Sequence, residues 1–98
     1  MTVTKKKNGS ILLANVEGRV DTVTAPQFES EIKSDLNGVT VLVLDFSQLT
    51  YISSAGLRVL LLLQKVMNKQ GSMKIVGANE TVKEIFDVTG FCDILTIE

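Results

Sequence analysis

The chain contains no histidine, a single cysteine and a single proline among its 98 residues. Without histidine there is no imidazole general base, no Ser-His-Asp or Cys-His nucleophile pair, and little material for a zinc site. One cysteine, Cys92, leaves no partner for an intramolecular disulfide or a Cys-x-x-Cys pair, which fits a reducing compartment. Cationic excess is also missing. Ten Lys+Arg stand against eleven Asp+Glu, a net charge of −1, so the phosphate-driven part of nucleic-acid affinity has nothing to draw on. Long apolar runs are absent as well, since the longest, Val59 to Leu63, falls far below the roughly 20 residues of a membrane span. Lys5-Lys6-Lys7 stand where a signal peptide's basic region would, but the apolar run after them, Ile11 to Ala14, is too short. These absences point away from a conventional enzyme, from nucleic acid and from membrane insertion, and toward a soluble, cytoplasmic protein.

What is present is ordinary globular composition, 45% apolar and 21% charged. That is enough to bury one modest core, so residues 1–98 read as a single domain. Thr2 to Lys7 is a weak strand, Asn8-Gly9 a hairpin turn signal, and Ser10 to Val16 a second strand. Thr24 is placed to cap a helix, with Gln27 as capping-box partner and Pro26 in the first turn. Phe28, Ile32 and Leu36 form its apolar stripe, Glu29, Glu31, Lys33 and Asp35 its polar face, and Asn37-Gly38 its end.

Val39 to Phe46 is an almost unbroken β-branched run, as in a strand buried on both faces. Ser47 to Ile52 then reads as a crossover into the longest helix, which Ser53-Ser54 open and Gly71 ends. Met73 to Val76 follows as a strand. Thr81 to Val88 is a helix capped by Asn79, with Val82, Ile85 and Phe86 inward, Gly90 stops it, and Ile94 to Ile97 is a last strand. The order β-β-α-β-α-β-α-β predicts an α/β fold, a mixed sheet whose later strands run parallel.

Chemistry concentrates in Leu49 to Arg58, small polar residues between a buried strand and a strong helix, where open α/β sheets place their ligand sites. A plainer reading is also available: Ser53 or Ser54 caps the helix, Ala55 keeps the turn tight and Gly56 permits close helix–sheet contact. One serine suffices for a cap, however, and the second is left over. Projection at about 100° per residue puts Gly56, Leu60, Leu63 and Met67 on the core face, with Val59 and Val66 beside them. Arg58, Lys65 and Lys69 form a stripe opposite, with Ser54 near it, Leu62 among the cations and Leu61 at their edge. Exposed leucines beside positive charge suit an acidic, partly apolar partner, although scattered surface leucines are common. A hydroxyl at a helix N-terminus is also a favourable place for a phosphate, which Arg58 one turn on would pair.

Other polar groups are less specific. Asp21 with Thr22, before the first helix, and Asp45, near the end of the central strand, either edge the same crevice or bond their own loops. Lys5-Lys6-Lys7 read as a solvated strand edge, and Cys92 as a core or loop thiol. No metal-binding carboxylate set can be placed, no P-loop is present, and no Gly-x-Gly-x-x-Gly follows a strand.

Val43 to Leu60 (VLDFSQLTYISSAGLRVL) closely resembles the signature of the STAS family, in particular the bacterial anti-sigma factor antagonists. Gly18-Arg19-Val20-Asp21 and Lys83 to Phe91 (KEIFDVTGF) add supporting matches, and the resemblance spans essentially the whole chain. It implies a single mixed sheet of four to five strands with about three helices packed mainly on one face.

It also implies partner switching. The unphosphorylated protein would bind an anti-sigma factor serine kinase and free the sigma factor. Phosphorylation by that kinase, with its own ATP, would end the binding, and a PP2C-type phosphatase would restore it. The motif sets the acceptor on Ser54. Family members often carry Asp just before the acceptor, where this chain has Ser53, so Ser53 is the runner-up. The docking face would comprise Asp21, Thr22, Ser53, Ala55, Gly56, Arg58, Leu61 and Leu62, with no cofactor and no catalysis by the chain itself. Two rival readings share the fold: a non-switching STAS subunit of a membrane lipid-transport ABC complex, and a small-molecule or nucleotide sensor. An exposed strand edge leaves room for a weak homodimer.

Overall fold

A computed structural model describes residues 1–98. Two strands, β1 (Thr2–Asn8) and β2 (Ile11–Val20), form an antiparallel hairpin in register from Asn8↔Ile11 to Thr2↔Glu17. Helix α1 (Ala25–Lys33) follows, then β3 (Val41–Asp45), β4 (Leu49–Ile52), the long helix α2 (Ser54–Gln70), β5 (Ser72–Val76) and α3 (Glu80–Val88). A 3-10 turn spans Phe91–Asp93. The sheet runs β1-β2-β3-β5, with β4 pairing β2 beyond the reach of β3. The β2–β3, β3–β5 and β2–β4 pairs are all parallel, so the mixed sheet and its parallel later strands are as expected.

Side-chain alternation builds the core. Leu12, Ala14 and Val16 of β2, Leu42 and Leu44 of β3, and Met73 and Ile75 of β5 are buried on one side. There they join Phe28 and Ile32 of α1, Leu60, Leu63 and Met67 of α2, and Val82 and Phe86 of α3 in one cluster. The opposite side keeps Ile11 and Leu13 exposed and Val41 and Val43 partly so. The central strand is therefore not buried on both faces, despite its continuous apolar run: helices cover one side of the sheet only. It is also shorter than that run, because Val39 and Phe46 are buried outside the ladder.

Several local expectations change. Strand β2 continues past Val16 to Val20, because β4 supplies a partner for its far end. The segment 47–52 is thus not only a crossover but holds a strand, with a register shift at Gly18/Arg19. No capping box forms at α1: Thr24 makes no side-chain cap bond, and the Gln27 amide donates to Glu31 instead. Helix α1 ends at Lys33, and Leu36 is buried from the turn that follows. Ile94 to Ile97 does not form a strand; a single parallel bridge, Ile75↔Ile97, replaces it, since the 3-10 turn feeds Leu95 into the core. Ile85 is only half-buried.

Lys5 is not a free edge lysine. Its ammonium meets Asp35 at 2.8 Å and the Glu31 carbonyl at 2.8 Å, and Lys7 reaches the Asn37 carbonyl at 3.3 Å. Two lysines thereby tie the edge strand to the carbonyl end of α1, where positive charge is favoured. No helix is long and apolar enough to cross a membrane.

Both ends of α2 are held by backbone contact. At the far end, the Gln70 amide donates to the carbonyls of Leu36, at 2.8 Å, and Val39, at 2.6 Å. Gly71 is not the left-handed terminator its position suggests; its φ is 168°. Glycine is required there because a Cβ would collide with the Thr40 carbonyl, which accepts from Ser72 N–H at 2.8 Å. Gly71→Ala is expected to destabilise the fold by about 2 kcal/mol through overpacking against backbone that cannot yield. Urea unfolding checks this: the midpoint falls with the slope unchanged.

Candidate functional site

The β2–α1 loop and the β4–α2 junction meet where β2 and β4 end side by side. Ser53 N–H donates to the Val20 carbonyl at 2.8 Å, so the residue that opens α2 is fixed to the residue that closes β2. From there Asp21 shapes the loop. Its Oδ1 accepts from Val23 N–H and Thr24 N–H, both at 3.0 Å. The Thr24 hydroxyl accepts from Asp21 N–H at 2.9 Å and donates to the Arg19 carbonyl at 2.9 Å, with Asp21 Oδ1 as alternative acceptor at 3.2 Å. The Thr24 N–H above all, and that of Val23, hold the Asp21 carboxyl below its ordinary value against an opposing contribution from desolvation. Asp21, rather than Thr24, thus organises the approach to α1.

The two adjacent serines have different surroundings. Ser53 is the N-cap residue, extended at φ −92° and ψ 176°, yet its side chain makes no cap bond. Its Oγ is buried and has no hydrogen-bond partner. Ser54, the first residue of α2, is exposed. The first turn of α2 contains no acidic residue, and Leu57 N–H to the Ser53 carbonyl, 2.9 Å, opens the helical ladder. No carboxylate of α2 itself therefore offsets the positive end of the helix dipole at the Ser54 hydroxyl.

Gly56 allows this approach. A Cβ there would lie 2.5 Å from Ile52 Cγ1 and 2.8 Å from Val20 Cγ1, so only glycine lets the first turn of α2 rest on the ends of β2 and β4. It faces the core and offers no side chain to a partner.

Between α1 and α2 lies a groove of about 760 Å³. Thr22 brings the β2–α1 loop to it; Ala55, Arg58 and Leu62 bring α2; Glu29 and Lys33 form the α1 wall, paired at 3.8 Å. Of the residues singled out from sequence, Thr22, Ala55, Arg58 and Leu62 thus converge on one surface beside Ser54. Leu61 falls on the far side of Arg58, along a second groove. Asp21 is committed to its own loop, and Ser53 and Gly56 are turned inward. Leu61 and Leu62 are half-buried rather than exposed, and Leu62 packs against the core.

The part α1 plays was not visible beforehand, because its polar face gave no sign of which neighbour it met. Val23 was also missed, an aliphatic side chain 85% exposed at the tip of the Asp21 turn. An apolar residue inside a Thr-rich turn was its only signal. On α2, Leu57 and Gln64 are buried beyond the face projected for the core, and the Gln64 amide donates to Asn68 at 2.9 Å.

Asp45 stands outside this surface. Its Oδ1 accepts from Ser47 N–H at 2.9 Å, and bonds from Ser47 hold its carboxyl below the ordinary range. Cys92 is exposed, 3.3 Å from an Asp87 oxygen that pushes the thiol upward. No group of three or more His, Cys, Asp or Glu residues is arranged to hold a metal ion.

The STAS domain family model matches residues 2–98, and the chain belongs to that family. BtrV of Bordetella bronchiseptica, named as an anti-sigma factor antagonist, is 36% identical over 99% of this chain and 85% of its own length. An anti-sigma factor antagonist from Mycobacterium paratuberculosis superposes with a TM-score of 0.88 at 23% identity, over 98% of this chain and 83% of that one. The Bacillus antagonist SpoIIAA matches with a TM-score of 0.76 in both unphosphorylated and phosphorylated forms. Those matches are 14% and 15% identical, covering 99% of this chain and 87% and 91% of the SpoIIAA chains. The structural likenesses establish the fold.

The Asp21 turn gives a pH-dependent expectation. The folded carboxyl titrates below its ordinary value of 3.8, so the stability it supplies is complete above that pH and lost as pH falls through the folded value. Asp21→Ala should lower the thermal midpoint at neutral pH, and its midpoint should converge on that of the unsubstituted protein in acid. Thermal melts from pH 6 to pH 2, roughly the carboxylate range, check both parts.

Proposed function

We propose that this STAS-domain chain is an anti-sigma factor antagonist that works by partner switching, with Ser54 as the phosphoacceptor. The observation that carries the reading is the contrast at the start of α2: Ser54 exposed at an uncapped helix N-terminus, Ser53 with its oxygen buried beside it. Its antagonist-named relative supports it, as does the match to SpoIIAA in both phosphorylation states.

In the unphosphorylated state the chain docks on an anti-sigma factor serine kinase, which lets go of its sigma factor. Thr22, Ala55, Arg58, Leu61 and Leu62 supply the contact surface; Asp21, Ser53 and Gly56 set its shape. The kinase binds ATP, and this chain catalyses nothing and needs no cofactor. In the transfer step Ser54 Oγ attacks the γ-phosphorus. The bond from that phosphorus to the bridging oxygen breaks, ADP departs, and the hydroxyl proton passes to a base on the kinase.

The product carries about −1.5 to −2 charges at the helix N-terminus. Free N–H groups and Arg58 accommodate that charge within this chain, so the fold persists. Inside the interface the same charge withdraws Arg58 from the kinase and requires burial of an anion, so binding is lost. A PP2C-type phosphatase hydrolyses the ester and resets the switch. All of these partners are cytoplasmic.

The test is incubation with ATP and candidate anti-sigma kinases, followed by intact mass and site mapping. One phosphate on Ser54, absent from Ser54→Ala, is expected, and Ser54→Asp should bind the kinase at least about tenfold more weakly. Phosphate on Ser53 would move the acceptor by one residue. No phosphate with any candidate, together with stable capture of a membrane ATPase, would replace this reading with a constitutive subunit of a lipid-transport complex.

A further inference from the structure

Helix α2 separates charge from the rest of the chain. It carries Arg58, Lys65 and Lys69 and no acidic residue. With −1 overall and +3 on α2, the remaining segments carry −4. The three ion pairs of the structure are Lys5–Asp35, Lys33–Glu29 and Lys74–Glu98, so no α2 cation takes part in one.

All three cations are exposed and lie on one stripe at spacings of seven and four residues. Leu61, Leu62 and Val66, each half-buried, fill the spaces between them. These six residues alone line a shallow groove of about 300 Å³, separate from the α1–α2 groove except at Arg58 and Leu62, which border both. At 1.5 Å per residue the stripe from Arg58 to Lys69 is about 16 Å long, and Lys69 stands about 22 Å from Ser54.

We infer that this outer face of α2 is a second docking surface, one that receives an acidic amphipathic helix of the partner. The inference rests on the proposed partner-switching function and extends it to residues beyond the phosphorylation end. Charge complementarity selects the occupant: three unpaired cations at helical spacing fit carboxylates repeating every three to four residues. The apolar strip between the cations fits leucine-like side chains on the same face of such a helix.

A lipid surface fits less well. Leu62 and Val66 are packed down onto the core, so they present a partial face to a partner but have no free length to insert into a bilayer. The distance from Ser54 gives the stripe a particular role. Lys65 and Lys69 lie more than a Debye length, about 8 Å at physiological salt, from a phosphate on Ser54. They keep attracting the partner after Arg58 has turned to the phosphate. The stripe thus guides encounter in both states, and the Ser54 end decides whether docking is completed.

The test uses the intact protein and the kinase found to phosphorylate it. Affinities are measured at about 0.05 M and about 0.3 M salt for the unsubstituted chain, the double variant Lys65→Glu/Lys69→Glu, and Ser54→Asp. The double variant should bind about tenfold more weakly at low salt, with a flatter salt dependence, and melt as the unsubstituted chain does. Lys65→Gln/Lys69→Gln should fall between.

Undiminished binding by the double variant, with binding lost in Ser54→Asp, overturns the second surface and leaves the phosphoswitch standing. No binding by the unsubstituted chain to any candidate kinase overturns both. Sedimentation with vesicles containing phosphatidylglycerol is run in parallel. If the unsubstituted chain co-sediments and the double variant does not, the stripe is a lipid surface and the protein-docking inference is wrong.

Discussion

The seat of α2 on the ends of β2 and β4 is the constraint on which the rest depends. Ser53 N–H binds the Val20 carbonyl, and the bare Cα of Gly56 lets the first turn settle onto Val20 and Ile52. Any side chain at Gly56 would lift the helix N-terminus off the sheet and separate it from the β2–α1 loop. Because the seat is built from backbone and glycine, it fixes the helix axis tightly while leaving the outward side of the first turn free. An exposed serine and an arginine occupy that free side, next to a loop that Asp21 has already folded.

This arrangement explains how one residue could act as a switch without disturbing the domain. The apolar cluster lies under the helix, and the Ser54 hydroxyl lies outside it, so a phosphate there needs no repacking of the core. The helix N-terminus and Arg58 stabilise the added charge locally. Its cost appears only when a partner must bury it. On the proposed reading, fold stability and binding would depend on different atoms of the same turn, the inward side of Gly56 for one and the outward side of Ser54 for the other. The cations farther along α2 extend the surface without taking part in the seat.

Much of this was legible in the amino-acid sequence, and the parts that were not share a cause. Asn79 read as a helix cap and is one, accepting from Val82 N–H at 2.9 Å. The β-α alternation, the parallel strands and the core stripe of α2 followed from periodicity, and Gly56 read correctly as a close-contact glycine. Errors arose where a long-range partner decided local structure. Strand β4 looked like a loop because Leu49–Ile52 is short and becomes a strand only by pairing with β2. The Thr24–Gln27 capping box was plausible locally, but Asp21 accepts the Thr24 N–H that Gln27 would have taken, and the Thr24 hydroxyl turns back to the Arg19 carbonyl. Ile94 to Ile97 had strand composition, yet it joins the sheet only through one bridge, Ile97 opposite Ile75, at its end. At the candidate site, sequence located the β4–α2 junction and the outer face of α2. It set the acceptor on Ser54 with Ser53 as runner-up but could not show the difference in burial between them, nor that Glu29 and Lys33 of α1 would form the opposite wall of the groove.

The claim at the centre is that phosphate on Ser54 acts as a local charge on an unchanged fold. Amide hydrogen exchange and ¹H–¹⁵N spectra of the phosphorylated and unphosphorylated chain, recorded under matched conditions, test it most directly. Shifts confined to residues 20–24 and 53–58, with amide protection in β2, β3 and β5 the same in both forms, are predicted. Loss of protection across those strands, or shifts spread through the α2 core face, would show that phosphorylation works by loosening the domain and would contradict the account.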